Sequence, residues 1–109
     1  MEPIQVTGTE LLDDDEKDIA NKLANEYYKK IFRELKNITS VTVHIKAHTK
    51  GGKRKKFDLR VKAIAPTRIF EAQESDWDLA RTFHRVFRNI KREIQHKLHS
   101  DSQRYKSYE

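Results

Sequence analysis

Two runs of strictly alternating residues near the middle of the chain constrain its fold more than any other feature. Ser40–His48 reads SVTVHIKAH and Lys56–Ala65 reads KFDLRVKAIA, with apolar and polar side chains taking turns. A period of two is typical of β-strands that bury one face. The connection TKGGKRK contains a Gly pair, which favours a hairpin turn. The two runs therefore predict a β-hairpin with one apolar face that other elements must cover.

The remaining segments supply two further strands and two helices. In chain order these are a strand in Pro3–Gly8, a helix from about Asp14 to Lys36, a strand in residues 67–73, and a helix in residues 74–98 capped by Ser75 or Asp76. Asp13 and Glu16 have the spacing of a capping box at the start of the first helix. Both helices carry an apolar stripe.

The order β-α-β-β-β-α predicts an α+β fold, a two-layer sandwich with a four-stranded sheet and two covering helices. The first helix is long enough to be a crossover, which allows the first two strands to be parallel neighbours. A chain of 109 residues is most simply one domain. We predict a single domain over residues 1–98 and a disordered tail over residues 99–109, where periodicity is absent.

The residues give little support to catalysis. The absence of cysteine excludes disulfides, thiolate chemistry and Cys-based zinc sites. His44 and His48 share a strand face but lie ~13 Å apart, too far for a common metal ion. Nucleophile motifs and phosphate-binding Gly loops are also missing from the sequence. We therefore predict that the protein is not an enzyme and takes no cofactor, metal or small-molecule substrate.

The charge balance favours an anionic partner. Lys and Arg outnumber Asp and Glu by 23 to 17, which is typical of proteins that bind nucleic acid or an acidic surface. No apolar run reaches the ~20 residues of a membrane span, and no signal-peptide core follows Met1. We therefore expect a monomeric cytoplasmic protein without membrane contact.

Most of the candidate RNA-binding residues fall on two helix faces. Four arginines of the second helix lie within an arc of about 60°, opposite the apolar stripe, and guanidinium groups suit bidentate phosphate contacts. Lys91 of the same helix, the first helix and the hairpin tip supply the others. The full set is Lys22, Lys29, Arg33, Lys36, Lys50, Lys53, Arg54, Lys55, Lys56, Arg81, Arg85, Arg88, Lys91 and Arg92. For the hairpin tip two interpretations remain open, contact with RNA or simple solvation.

Three segments stand out beside the element order: the opening IQVTG, the junction LKNITSVTVHI, and the acidic turn ESDWDLA before a basic last helix. With these segments and this order, the chain resembles the ribosome hibernation-promoting factor family, the short ribosomal subunit interface proteins. The resemblance covers residues 4–98. It implies a fold similar to the double-stranded-RNA-binding domain, with both helices on one face of the sheet. The hairpin loop HTKGGKRKK is more basic than is expected of that family, and the chain resembles its short form, without an appended dimerisation domain.

The resemblance also implies a partner and a mechanism. The partner would be the small ribosomal subunit with its ribosomal RNA, and the helix cations would make the RNA contacts. The protein would occupy the mRNA and tRNA channel, and would thereby block translation and protect idle ribosomes. This inactive state of the ribosome is called hibernation. Two alternatives remain open: a module that binds double-stranded or structured RNA away from the ribosome, and an adaptor whose basic face binds an acidic protein.

Overall fold

A computed structural model describes residues 4–34, 38, 40–50, 54–66 and 68–107, with side chains for all of these except 34, 50 and 98–107. Its strands and helices follow the predicted order. They are β1 (Ile4–Thr7), a 3-10 turn (Thr9–Leu11), α1 (Asp14–Glu34), β2 (Ser40–Lys50), β3 (Arg54–Ile64), β4 (Ile69–Asp76) and α2 (Leu79–Ser107). The Gly51-Gly52 turn lies outside the described residues.

The four strands form one mixed sheet in the order β1-β2-β3-β4. β1 pairs with β2 in parallel, with Ile4 opposite Val41, as expected for strands joined by a helical crossover. The other two pairs are antiparallel, with Val43 opposite Val61 and Phe57 opposite Asp76. The predicted α+β two-layer fold is therefore confirmed.

The core lies between one face of the sheet and the two helices. In β2 the side chains of Val41, Val43 and Ile45 are buried, whereas those of Thr42 and His44 between them are not. Because only this face is covered, α1 and α2 must both pack on it, and they also contact each other. The deepest helix residues are small on α1 and aromatic or branched on α2: Ala20, Ala24, Phe83, Val86, Phe87, Ile90 and Ile94.

The predicted capping box at α1 is confirmed. The Asp13 carboxylate accepts a hydrogen bond from the Glu16 backbone N–H at 2.8 Å, and Glu16 accepts one from the Asp13 N–H at 3.0 Å. Two N–H groups at the helix start are thereby satisfied. Three acidic residues in the first turn also favour this end of the helix dipole.

The prediction for the start of α2 is wrong in a way that matters for the site. Residues Ser75 and Asp76 belong to β4, and the cap is Asp78, whose carboxylate accepts a hydrogen bond from the Arg81 N–H at 3.0 Å. At its other end, the backbone of α2 is helical to Ser107, past the predicted boundary at residue 98. The division into a domain of residues 1–98 and a disordered tail stays a prediction.

Candidate nucleic-acid interface

An aromatic cluster joins the two helices along the middle of their contact. The Tyr27 ring stacks on Phe87 with centroids 4.8 Å apart and planes 5° from parallel. The same ring meets His84 edge-on at 5.6 Å, and the Tyr27 hydroxyl shares a hydrogen bond with His84 Nδ1. Stacked rings with one polar contact fix the distance between the helices. The cluster therefore forms a firm floor for the groove between α1 and α2.

This groove has a volume of about 330 Å³ and is lined by cations from both helices. Lys30 on α1 lies with its Nζ 4.9 Å from the Tyr27 ring centroid. Arg88 and Lys91 line the groove from α2, and all three side chains are exposed. An aromatic floor with converging exposed cations suits the phosphates of a nucleic acid more than a neutral ligand.

Tyr27 keeps its proton in this setting. Burial raises the pKa of the Tyr27 phenol above its ordinary value of 10.0; Arg88 lowers it and Glu26 raises it further, and the net effect is a rise. The phenol is therefore neutral at physiological pH and adds no negative charge to the groove. The positive charges of Lys30, Arg88 and Lys91 are left available to an anion.

The outward side of the helical layer continues this positive surface. Lys22, Lys29 and Arg33 are exposed on α1, and Arg92 is exposed on α2. Among the residues whose side chains the structure describes, no carboxylate forms an ion pair with any of these four, or with Lys30, Arg88 or Lys91. We call these seven residues the helix surface.

Arg81 and Arg85, also predicted to contact RNA, are held by carboxylates of β4. Arg85 Nη1 lies 3.0 Å from Asp76 Oδ2, and its Nε lies 3.6 Å from Glu74 Oε1. Arg81 Nη1 lies 3.5 Å from Asp76 Oδ1. The two arginines thus face the sheet edge and are largely neutralised there, whereas Arg88 and Arg92 are not.

Asp76 is the buried centre of that ion-pair network. Burial of the side chain raises the pKa of its carboxyl group. Hydrogen bonds from the Trp77 N–H and from Arg85, together with the charge of Arg81, lower it by more, so the net pKa lies below the ordinary 3.8. A carboxylate held in this way stabilises the fold while it is ionised.

Replacing Asp76 with asparagine is expected to lower the free energy of unfolding at neutral pH. Because the folded pKa is depressed, the contribution of the carboxylate is present above the unfolded pKa of about 3.9 and is lost as pH falls through the folded value. The difference between wild type and Asp76→Asn, measured by urea denaturation, should therefore shrink below about pH 4. A difference of equal size at pH 7 and pH 3 would contradict this role.

The cations of the hairpin tip divide between the two faces of the sheet. Lys55 points to the helix side, where its Nζ lies 2.9 Å from Glu16 Oε1 of the capping box. Arg54 and Lys56 alternate with it and point to the other face, where both approach the Trp77 ring. The tip therefore does not extend the helix surface as one continuous patch. Lys36, Lys53 and the side chain of Lys50 lie outside what the structure describes.

Sequence reasoning missed Lys30, Tyr27, His84 and Trp77. The i,i+3 spacing of Tyr27 and Lys30 was a usable signal, because it places the two side chains side by side on a helix. The proximity of His84 was not available from the sequence, because it depends on the register between two helices. Trp77 was not selected because it stands between Asp76 and Asp78, and acidic neighbours do not suggest contact with RNA.

Metal ligands and membrane-spanning helices are two further features that a chain of this size can carry. No group of three or more His, Cys, Asp or Glu side chains stands ready to hold a metal ion in the described part of the chain. Nor does any helix there have the length and apolar character needed to span a membrane.

Comparison with solved structures found chains of similar shape, and comparison with sequences found none. No protein-family model matches the chain, and no curated protein sequence matches it. The solved structure of a ribosomal subunit interface protein from Coxiella burnetii is similar, with 19% sequence identity and a TM-score of 0.48. That match covers 95% of this chain and 94% of the other. What the chain binds is therefore inferred from its own residues.

Proposed function

We propose that the protein is a cytoplasmic RNA-binding factor that associates with the small ribosomal subunit through the helix surface. The observation that carries the proposal is the groove between α1 and α2, where Lys30, Arg88 and Lys91 converge on a neutral aromatic floor. Their charges are not matched by carboxylates within the described structure, in contrast to those of Arg81 and Arg85. Such cations neutralise phosphates and release counterions.

The distribution of charge supports RNA contact along the helices and not at the start of α2. Asp76 and Asp78 both lie there, and Asp78 occupies the capping position. Their negative charge opposes a phosphate at that helix end, which would otherwise attract anions. A module that grips duplex RNA by the first turn of its last helix is therefore less well supported than one that binds along the helix surface.

The ribosomal partner in this proposal comes from the sequence resemblance, carried by the IQVTG, LKNITSVTVHI and ESDWDLA segments. The mechanism is steric. The monomeric domain occupies the channel that mRNA and tRNA use on the small subunit, and its occupancy blocks translation in idle ribosomes. Neither a cofactor nor a catalytic residue is needed, because an obstacle held by phosphate contacts is sufficient.

The class of partner is tested by salt titration of binding to three probes: a structured ribosomal RNA fragment, a 20-bp RNA duplex and polyglutamate. If roughly four to six phosphates are neutralised, affinity for the ribosomal fragment should fall by about 10²- to 10³-fold between 50 and 200 mM salt. The duplex should bind more weakly at each salt concentration. Binding to polyglutamate that equals binding to RNA would favour an acidic protein partner and contradict the proposal.

A further inference from the structure

Trp77 is the single tryptophan of the chain, and its side chain is 42% exposed. It follows Asp76, the last residue of β4, which is buried on the helix side and pairs in register with Phe57. The Trp77 ring contacts Arg54 and Lys56, which alternate with the helix-facing Lys55 in β3, so it lies on the opposite, uncovered face. An indole ring placed there contributes little to the core and calls for another explanation.

Two cations of β3 lie against this ring. Arg54 Cζ is 4.6 Å from the ring centroid and Lys56 Nζ is 5.8 Å from it. Both belong to the part of the hairpin that extends beyond the end of β4, since Phe57 is the last β3 residue that β4 pairs. Arg54 is exposed. An exposed cation–π contact is weak, so a ligand can replace it at small cost.

The charge around Trp77 changes along the uncovered face. Nearer the middle of the sheet, acids balance the cations: Asp58 pairs in register with Lys46 and is held by Gln73 Nε2 at 3.0 Å, and Lys62 lies 3.9 Å from Glu71. Towards the tip, the register positions hold His48 opposite Lys56 and Lys50 opposite Arg54. The end that carries Trp77 is therefore the positive end of this face.

The acids closest to Trp77 in sequence are already engaged. Asp76 binds Arg81 and Arg85 and accepts the Trp77 N–H at 2.6 Å, which also fixes the backbone from which the indole projects. Asp78 accepts the Arg81 N–H as the α2 cap. Asp76 lies on the helix side of the sheet, so its charge acts at the start of α2 and not on the opposite face, where Arg54 and Lys56 lie against the Trp77 ring.

We propose that Trp77, Arg54 and Lys56 form a binding site for an unpaired nucleotide of a single-stranded RNA segment. The base stacks on the indole, and the two cations hold the flanking phosphates. An aromatic ring between cations is the arrangement with which proteins bind single strands with little sequence preference. This site rests on the proposed RNA-binding function and lies on the other face of the sheet from the helix surface. It gives the protein a contact with an unstacked base in addition to phosphate contacts.

The test uses the emission of Trp77, which is the only tryptophan signal of the protein. Wild-type protein is titrated with a short single-stranded RNA, with an abasic oligomer of the same length and charge, and with inorganic polyphosphate. The RNA should quench the emission, and the two base-free polyanions should not. In a filter-binding assay, Trp77→Ala should weaken binding of the short RNA by about 5- to 150-fold, and Trp77→Phe should recover part of it.

Lys62→Ala is the matched control, because it removes a cation from the same face away from Trp77, and its binding should stay near wild type. Quenching of equal size by the abasic oligomer, or RNA binding without any quenching, would overturn the stacking site and leave the helix surface untouched. If no RNA binds wild-type protein in the filter assay, the proposed function itself fails. The quenching comparison needs no variant, so misfolding of Trp77→Ala cannot obscure the result.

Discussion

Replacing Gly8 with alanine is expected to lower the free energy of unfolding by about 3 kcal/mol or more. Gly8 joins β1 to the 3-10 turn with a φ of 85°, in the left-handed region that L side chains rarely adopt. A Cβ at this position would overlap the Ile45 carbonyl oxygen, far closer than van der Waals contact allows, and would lie 3.0 Å from its carbonyl carbon. Both obstacles are backbone, so neither can be relieved by rotating a side chain. Urea denaturation, monitored by circular dichroism, measures the decrease in the free energy of unfolding.

Two companion variants separate the causes. Asparagine tolerates the left-handed conformation but carries the same Cβ, so Gly8→Asn should also be strongly destabilised if the contact with Ile45 dominates. Glu10→Ala changes an exposed residue of the same turn and should stay within about 0.5 kcal/mol of wild type. A Gly8→Ala protein as stable as Glu10→Ala would show that this connection is not fixed as described.

Reversing two charges in the groove, Arg88→Glu together with Lys91→Glu, is expected to weaken RNA binding by about 100-fold or more. Each residue lines the groove from α2 and is exposed. Removing both cations eliminates two charge-assisted phosphate contacts, and the new carboxylates repel the phosphates of the RNA. Affinity falls with salt, and the neutral pair Arg88→Gln and Lys91→Gln should make this fall less steep. The slope of log affinity against log salt should decrease in magnitude by roughly 1.5 to 2 units.

The matched control for this pair is Lys46→Glu together with Lys62→Glu. It changes the net charge by the same amount, but both residues project from the sheet face opposite the helices. Binding by the control should fall only by the small, salt-screened effect of net charge. A second comparison is Arg81→Gln, which should have little effect because Asp76 already holds that guanidinium. Equal losses for the groove pair and the sheet pair would mean that binding follows net charge alone.

The periodicity of the sequence was sufficient for the element order and for the buried face of the hairpin. Alternation in β2 and β3 predicts the correct inward residues, because a strand with one covered face must alternate. The same periodicity locates the stripe of α1 less accurately. A spacing of four residues predicts a stripe centred on Ile19, Leu23, Tyr27 and Ile31 and widened by Ala20, Ala24 and Leu35. In the structure Ile19 is 38% exposed, whereas Ala20 and Ala24 are fully buried. Each step of four residues advances 40° around the helix, so a stripe drawn that way drifts to the flank.

The partners of the arginines could not be read from the sequence. A helical projection shows that Arg81 and Arg85 lie on the polar side of α2, but not which strand lies beside them. The pairing of these arginines depends on β4, which continues to Asp76 and brings Glu74 and Asp76 to the covered side of the sheet edge. Sequence patterning alone assigns Asp76 to a helix cap. Because the predicted start of α2 was too early, the ion pairs of Arg81 and Arg85 with β4 were not predicted. All four arginines of α2 were therefore treated alike.

The hairpin tip shows the opposite case, in which the sequence held a usable signal. Alternation continues through residues 54–56, so Lys55 had to face the other way from Arg54 and Lys56. Treating the tip as one basic cluster merged a residue that pairs with Glu16 and two that lie against Trp77. The period of two residues is therefore sufficient by itself to divide the cluster between the two faces of the sheet.

Co-sedimentation with separated small and large ribosomal subunits, at low and at physiological salt, tests the central claim most directly. We predict stoichiometric binding to the small subunit alone that survives physiological salt, is lost in Arg88→Glu with Lys91→Glu, and is retained in Lys46→Glu with Lys62→Glu. Equal and weak binding to both subunits that is removed by physiological salt would contradict a ribosomal function and leave a general polyanion binder.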